Sequence, residues 1–366
     1  MTEILLWAGY FAVFAFLVHK GRSKDAVLSG SVGFGVQAFA YVATYISAVA
    51  LVGFGGLAHA YGLQMLLVAA GNVWFGTWAV YRFLAWPTRK WQERLGARTP
   101  AQLLGLGHGS PSLTRAMAFV FALFLGVYGS AVIKGAALLL AEILPVPVWA
   151  LIWLVAIIVG LTVFIGGLRG VLYTEAMQGV VMLVGMLMLV GAIFSKVGGP
   201  WEGMQALAAL PPSDLANNGF VSLSGGERGL FILSLVVVTS IAVWAQPQMM
   251  QRHFAIADPR QLKKTTPLAM FILTVLVGGA YFAAALSRLI LPEVASPDQV
   301  MPKLVQMLLP EFALHIFVLA IVSASLSTAT GIYHIAVSAL SEDLRGRPSN
   351  RLSWFTGIAI CVLVSG

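Results

Sequence analysis

The sequence predicts an all-α protein made of membrane-spanning helices, on three observations. Of 366 residues, 59% are hydrophobic and only 10% are charged, whereas a soluble domain carries about 25% charged residues. The apolar residues fall into repeated runs near the ~20 residues that cross a bilayer. Between those runs, loops rich in Lys and Arg alternate with loops that have few. So little charge excludes a water-soluble enzyme, a disordered chain and a disulfide-stapled secreted module. Cys361 is the single cysteine, so neither an internal disulfide nor a cysteine metal cluster is expected. The net charge of +8 is assigned to loops facing the cytoplasm, and no nucleic-acid partner is expected.

Spans are read at 3–19, 33–60, 63–86, 116–141, 147–168, 172–195, 229–250, 267–291 and 311–340, with a tenth starting near 353. The first lacks a basic leader and a small-residue cleavage site before His19, so it is kept as a helix rather than a signal peptide. With the N terminus outside, inner segments hold 17 of the 22 Lys and Arg and outer segments hold 4, with Lys134 inside a span. That bias predicts a multi-pass protein of the cell membrane with its N terminus outside. The basic loop 87–115 is expected to hold one short interfacial helix. The Gly-, Pro-, Ser- and Asn-rich loop 196–228 is expected to be an irregular cap. The apolar run at the end has no stop signal, so the natural chain is expected to continue past Gly366.

Two spans carry interruptions. The second contains Ala43-Thr44-Tyr45-Ile46-Ser47-Ala48 and then Gly53-Phe54-Gly55-Gly56. Glycine weakens a helix by roughly 1 kcal/mol relative to alanine, and carbonyls released inside a bilayer need new partners. The run reads either as close helix packing through small residues or as a broken helix whose carbonyls meet an ion. The seventh contains Thr239-Ser240-Ile241-Ala242 and, beyond it, Gln246-Pro247; the proline removes a backbone donor. Breaks are expected at Ile46–Ala50 and Thr239–Ala242. Interruptions at corresponding places in two halves point to a transporter's binding site.

The ninth span contains Ser323, Ser325, Ser327, Thr328 and Thr330. Such hydroxyls can return to their own backbone, but Ser323, Ser327 and Thr330 share one face, which favours a polar seam. Lys134 and Glu175 are read as intramembrane charges, functional until shown otherwise. Lys134 is read as neutralising a substrate carboxylate, standing in for a cation, pairing with a carboxylate or carrying a proton. Glu175 lies near the inner end of its span, where Arg169 is a headgroup-level neighbour. The histidines show no recurring metal-ligand spacing. No Glu-x-x-His pair, Ser/His/Asp set or acidic pair occurs in the spans, so no enzyme, transition metal or cofactor is expected.

Four stretches resemble the sodium/solute symporter family, which holds the proline, pantothenate and sugar symporters. They are Ala43 through Gly56; Gly166-Gly167-Leu168-Arg169 through Tyr173-Thr174-Glu175-Ala176-Met177-Gln178; Ala245-Gln246-Pro247 with Gln251-Arg252-His253-Phe254-Ala255; and Ala320-Ile321-Val322-Ser323 through Ser341-Glu342-Asp343-Leu344. The resemblance implies a LeuT-type inverted-repeat transporter fold with one extra N-terminal helix. Residues 1–32 would hold that helix and an inner loop, 33–195 the first five-helix repeat, 196–228 the outer loop, and 229–366 an incomplete second repeat. It implies a sodium site made by the carbonyls of Ala43, Ile46 and Ala320 and the hydroxyl of Ser323. A second hydroxyl position holds Ala324, a departure that removes one of five ligands. Glu175 stands where the family has Asp, a position implied to assist ion exit.

The positions that bind sugars in sugar-carrying members hold Tyr45, Ala50 and Ala69 here, which offer one hydroxyl. A small, partly apolar solute, a carboxylate or amino acid, is therefore expected. Its lining is expected from Tyr45, Ser47, Ala50, Tyr128, Lys134, Thr239 and Gln246. The implied function is cation-coupled symport by alternating access, with sodium as the coupling ion. The alternatives are a proton-coupled member and a sensor of the same fold attached to a C-terminal signalling domain.

Overall fold

The computed structural model describes residues 2–365 except 24, 142–145, 225, 292, 293 and 295. The described residues form helices and turns, with one isolated bridge at Ser213 and Ala216. The helices are α1 (Thr2–Lys20), α2 (Phe34–Tyr45), α3 (Phe54–Tyr61), α4 (Leu66–Val73), α5 (Trp86–Leu95), α6 (Pro100–Gly107), α7 (Pro111–Ala141) and α8 (Val148–Val197). There follow α9 (Pro200–Ala208), α10 (Gly229–Ser240), α11 (Pro247–His253), α12 (Pro259–Leu273), α13 (Gly279–Leu286), α14 (Val300–Leu308), α15 (Glu311–Ser338) and α16 (Arg351–Ser365). Among the described residues, seven helical stretches are long and apolar enough to cross a membrane. The count falls short of the spans read from sequence because some spans are split and others are joined.

The spans 147–168 and 172–195 are joined in α8, which bends at Gly167 (φ 53°, ψ −161°). The left-handed φ there suits glycine. Space requires it as well: a Cβ on Gly167 would stand 2.8 Å from Ala26 Cα, and Leu168 N bonds Ala26 O at 2.9 Å. The loop after α1 thus docks into the bend. The basic loop holds two short helices, α5 and α6, rather than one; Thr99 starts the second by accepting from Gln102 N. The loop 196–228 is not irregular throughout. Pro200 opens α9, at the first helical position where its missing N–H costs nothing.

The centre of the bundle is α15, packed against α8, α7 and α2. It is buried on all sides from Leu319 to Ser338. Within lipid there is little hydrophobic drive between helices, so contact rests on close packing of small residues. Ala320, Ser323, Ala324, Ser327, Ala329 and Gly331 provide that surface. At one end of the bundle, Arg98 reaches Asp25 at 2.8 Å and Glu342 at 2.6 Å. Those ion pairs bring together three of the loops that the charge alternation assigned to one side.

Candidate functional site

Helix α2 stops at Tyr45, where Ile46 turns extended (φ −98°, ψ 109°), and helical geometry resumes at Ala48. Carbonyls ahead of such a break lose the amides of the next turn and must find other partners. Helix α10 keeps Thr239 and Ser240; after it come Ile241, a tight turn over Ala242–Ala245 and the extended residue Gln246 (φ −68°, ψ 120°). The second break therefore lies a few residues beyond the expected Thr239–Ala242. Pro247 explains the shift, because it forbids helical geometry at the residue before it and fits the first position of α11.

The two breaks face each other through a polar cluster. Asn72 on α4 accepts at Oδ1 from Thr239 Oγ1 at 2.8 Å and from Ser240 Oγ at 3.0 Å. The Tyr45 hydroxyl shares its proton between Asn72 Oδ1 at 3.1 Å and Thr239 O at 2.8 Å. Asn72 is buried. Of the expected lining residues, the structure brings together Tyr45 and Thr239. Ser47 lies in the first break, Ala50 just after it, and Gln246 in the second break, where its Oε1 accepts from Gln248 Nε2 at 3.1 Å. Asn72 and Ser240 also belong to the cluster, though neither is among the expected lining residues; Ser240 lies in the expected break, and the sequence signal for Asn72 is a lone amide in the apolar run of α4.

Tyr128 and Lys134 are not part of this cluster. Both lie on the outer face of α7, exposed, while Ile133, Ala136 and Ala137 turn inward. Successive helix residues are about 100° apart, so the residue after Ile133 leaves the packed face. The structure does not bring Lys134 to the polar cluster between the breaks.

On the opposite side of α2, oxygens converge from α15. Ser327 Oγ donates to Ala43 O at 2.7 Å and lies 3.1 Å from Ala324 O; Thr328 Oγ1 donates to Ala324 O at 3.0 Å. Ser323 Oγ instead pairs with the Tyr10 hydroxyl of α1 at 2.9 Å. The structure thus sets the next turn of α15 against Ala43, in place of Ala320 and Ser323. The arrangement of one carbonyl with hydroxyls three and four residues on, one hydroxyl short at Ala320, Ser323 and Ala324, is complete at Ala324, Ser327 and Thr328.

Glu175 forms an ion pair with Arg252, and neither side chain is exposed to solvent. Arg252 Nε also donates to Thr44 Oγ1 at 3.0 Å, and Gln37 Nε2 donates to Arg252 O at 2.9 Å. The pair locks α8, α11 and α2 together beneath the first break. Arg169 is not the partner of Glu175: it is exposed and its Nε donates to Tyr173 OH at 3.2 Å. Arg252, counted with an inner loop, is the buried cation. A charge sealed from water needs such a partner, since an isolated one costs several kcal/mol.

Residues 27–359 match the sodium:solute symporter family. The sodium/pantothenate symporter of Haemophilus influenzae is 27% identical over 347 residues, covering 90% of this chain and 69% of that protein. That of Escherichia coli is 28% identical over 324 residues, covering 86% and 65%. The high-affinity proline transporter PutP of Bacillus subtilis is 25% identical over 356 residues, covering 93% and 71%. The chain therefore spans about two thirds of the length of these relatives. A solved structure of a Na+-coupled sialic acid symporter, in a substrate-bound outward-open state, shares the fold with a TM-score of 0.78 at 15% identity. That match covers 100% of this chain and 79% of the other.

Proposed function

The chain belongs to the sodium:solute symporter family, and from that premise we propose that it carries out sodium-coupled symport of a small carboxylate or amino acid by alternating access. The observation that carries the reading is the pair of facing breaks in α2 and α10–α11, with hydroxyl and carbonyl oxygens on one side of α2 and a polar cluster on the other. In this reading the N terminus lies outside the cell membrane, following the distribution of Lys and Arg.

Sodium binds where Ala43 O, Ala324 O, Ser327 Oγ and Thr328 Oγ1 converge, with Ile46 O released by the break. Neutral carbonyls and hydroxyls replace water around a hard cation, as unwound helices do in transporters. For the ion to enter, the Ser327 proton turns away from Ala43 O, so that both oxygens face the cation. The bound ion then ties α2 to α15. Because it holds only the arrangement in which the two are apposed, it shifts the population towards that state.

The solute binds beside Tyr45, Asn72, Thr239, Ser240 and Gln246. The half-helix that begins at Ala48 presents its N-terminal end to the break, where free amides and the helix dipole favour a carboxylate. Pantothenate and proline, named for the relatives, both carry one. Glu175 and Arg252 close the other end of the path by holding α8, α11 and α2 together, and solute and ion leave when that contact opens. The cycle needs no covalent chemistry.

Uptake of labelled proline, pantothenate and a panel of small carboxylates into proteoliposomes tests the reading. Accumulation of at least one of them should require an inward sodium gradient. Accumulation that is unchanged when the sodium gradient is replaced by choline overturns sodium coupling.

A further inference from the structure

A cleft of about 630 Å³ opens where α1 ends, where α8 bends and where α16 begins. It is separate from the site between the broken helices. Arg22, Arg98 and Arg351 line it together with His19 and a single carboxylate, Asp25. Three guanidinium groups thus face one acid. That acid is already engaged: Asp25 accepts from Arg98 at 2.8 and 3.0 Å and from the amides of Val27 and Leu28 at 3.0 and 3.2 Å. Arg98 is also held by Glu342. Burial works against its charge, but the two carboxylates outweigh that and raise its pKa above the usual guanidinium value. Neither the Arg22 nor the Arg351 side chain makes an ion pair or hydrogen bond among the described residues.

The remaining wall is apolar and leads onto the outer surface of the bundle. Phe164 and Ile165 line the cleft, and each is 39% exposed. Phe355 packs edge-on against Phe164 with ring centroids 6.0 Å apart and is itself exposed. Basic groups at the end of α1, before α6 and at the start of α16, with an exposed apolar track along α8 and α16, match one ligand chemistry. It is a phosphodiester anion joined to hydrocarbon. A soluble anion would use the guanidinium groups and leave the aromatic track uncovered; a zwitterionic lipid would bring a cation next to Arg22 and Arg351.

We propose that this cleft is a binding site for the headgroup of an anionic phospholipid. Arg22 and Arg351 take the phosphate, and the acyl chains run along Phe164, Ile165 and Phe355. Arginine suits the role because its planar donors match phosphate oxygens in pairs, and basic pockets between spans at the membrane boundary favour anionic headgroups. The lipid would add a further link between α1, α16 and the bend of α8, which already pack on one another through Val18 and Gly170 and through Trp354 and Val163.

The test is titration of the purified chain, in uncharged detergent, with short-chain phosphatidylglycerol, short-chain phosphatidylcholine or inorganic phosphate. Saturable phosphatidylglycerol binding at least tenfold tighter than phosphatidylcholine binding is expected. The double variant Arg22→Gln with Arg351→Gln should lose at least tenfold, and Arg22→Lys with Arg351→Lys should recover part of the loss. Arg260→Gln with Lys263→Gln, basic positions away from the cleft, should bind as wild type does. Thermal melting in phosphatidylcholine checks that the variants fold. Equal affinity for the two lipids, or full binding by the Arg22 and Arg351 glutamine variant, overturns the proposal. Inorganic phosphate binding as tightly as the lipid makes the ligand a soluble anion and also overturns it.

Discussion

Ser327 on α15 donates a 2.7 Å hydrogen bond to the carbonyl oxygen of Ala43 on α2, two residues before that helix stops. The contact joins the most enclosed helix of the bundle to the helix that breaks beside the Asn72 cluster. In the proposed site a cation would sit between these two oxygens once the Ser327 proton turns away, and would tie the helices more firmly than the hydrogen bond it displaces, which is worth about 1 kcal/mol. Ion occupancy can therefore bias the position of α2 without any change in the fold.

Asn72 is the hub of the polar cluster proposed to meet the solute, since three hydroxyls meet its Oδ1. Asn72→Ala leaves Ser240 without its acceptor and Tyr45 and Thr239 with backbone carbonyls alone, and Tyr45→Phe removes one donor. Solute affinity should fall at least tenfold in the first variant and a few-fold in the second, in line with about 1–3 kcal/mol for an orphaned buried group against about 1 kcal/mol for a lost bond. Equilibrium binding of the labelled solute measures both. Wild-type affinity in Asn72→Ala would move the solute elsewhere.

Glu175 and Arg252 neutralise each other where neither meets solvent. Glu175→Gln leaves a buried guanidinium with no opposite charge, which costs about 3–5 kcal/mol. Adding Arg252→Gln removes that charge and should recover much of the loss. Thermal melts of the two single variants and the double variant read this directly. A Glu175→Gln protein that melts like wild type would show that water or another acid reaches Arg252.

Gly331 on α15 makes room for that pair. A Cβ there would stand 2.7 Å from Arg252 Nη2 and 3.3 Å from both Thr44 Cγ2 and Glu175 Oε1. Arg252 is pinned at its far end, so it cannot swing clear. Gly331→Ala should destabilise by about 1–3 kcal/mol, the usual cost of overpacking, and by less in the Glu175→Gln, Arg252→Gln background. Equal costs in the two backgrounds would separate Gly331 from the ion pair.

Lys134 sits on the outer face of α7, so Lys134→Gln should keep solute affinity and sodium dependence at wild-type values. A selective loss of carboxylate binding in that variant would return Lys134 to the solute site.

The helical spans and the partner break near Pro247 can be read from the sequence, because each has a local cause: an apolar run, and a proline that disfavours helix before it. The break in α2 falls at Ile46 and Ser47, ahead of the glycines that suggested it; Gly53, Gly55 and Gly56 are helical, and Gly56 makes room for Pro297. The register of α15 cannot be read from the sequence. Ala320 and Ser323 repeat one turn later as Ala324 and Ser327, so a slip of four residues lays the motif on itself. Only the distance to Ala43 decides between them, and Tyr10 claims Ser323. Depth along a helix was readable for Lys134, but its direction around the axis depends on which face of α7 meets α15. Arg252 passed for a loop residue because α11, which contains it, is only seven residues long. Its burial follows from α2, α8 and α15 closing over it.

The most direct test is sodium binding measured on wild type, Ser327→Ala and Ser323→Ala in the same detergent. Loss of one ligand oxygen should weaken sodium several-fold in Ser327→Ala, about 1 kcal/mol or more. Ser323→Ala should keep wild-type affinity, because that hydroxyl faces Tyr10. The reverse pattern, with Ser323→Ala weakened and Ser327→Ala unchanged, would contradict the site built on Ala43, Ala324, Ser327 and Thr328.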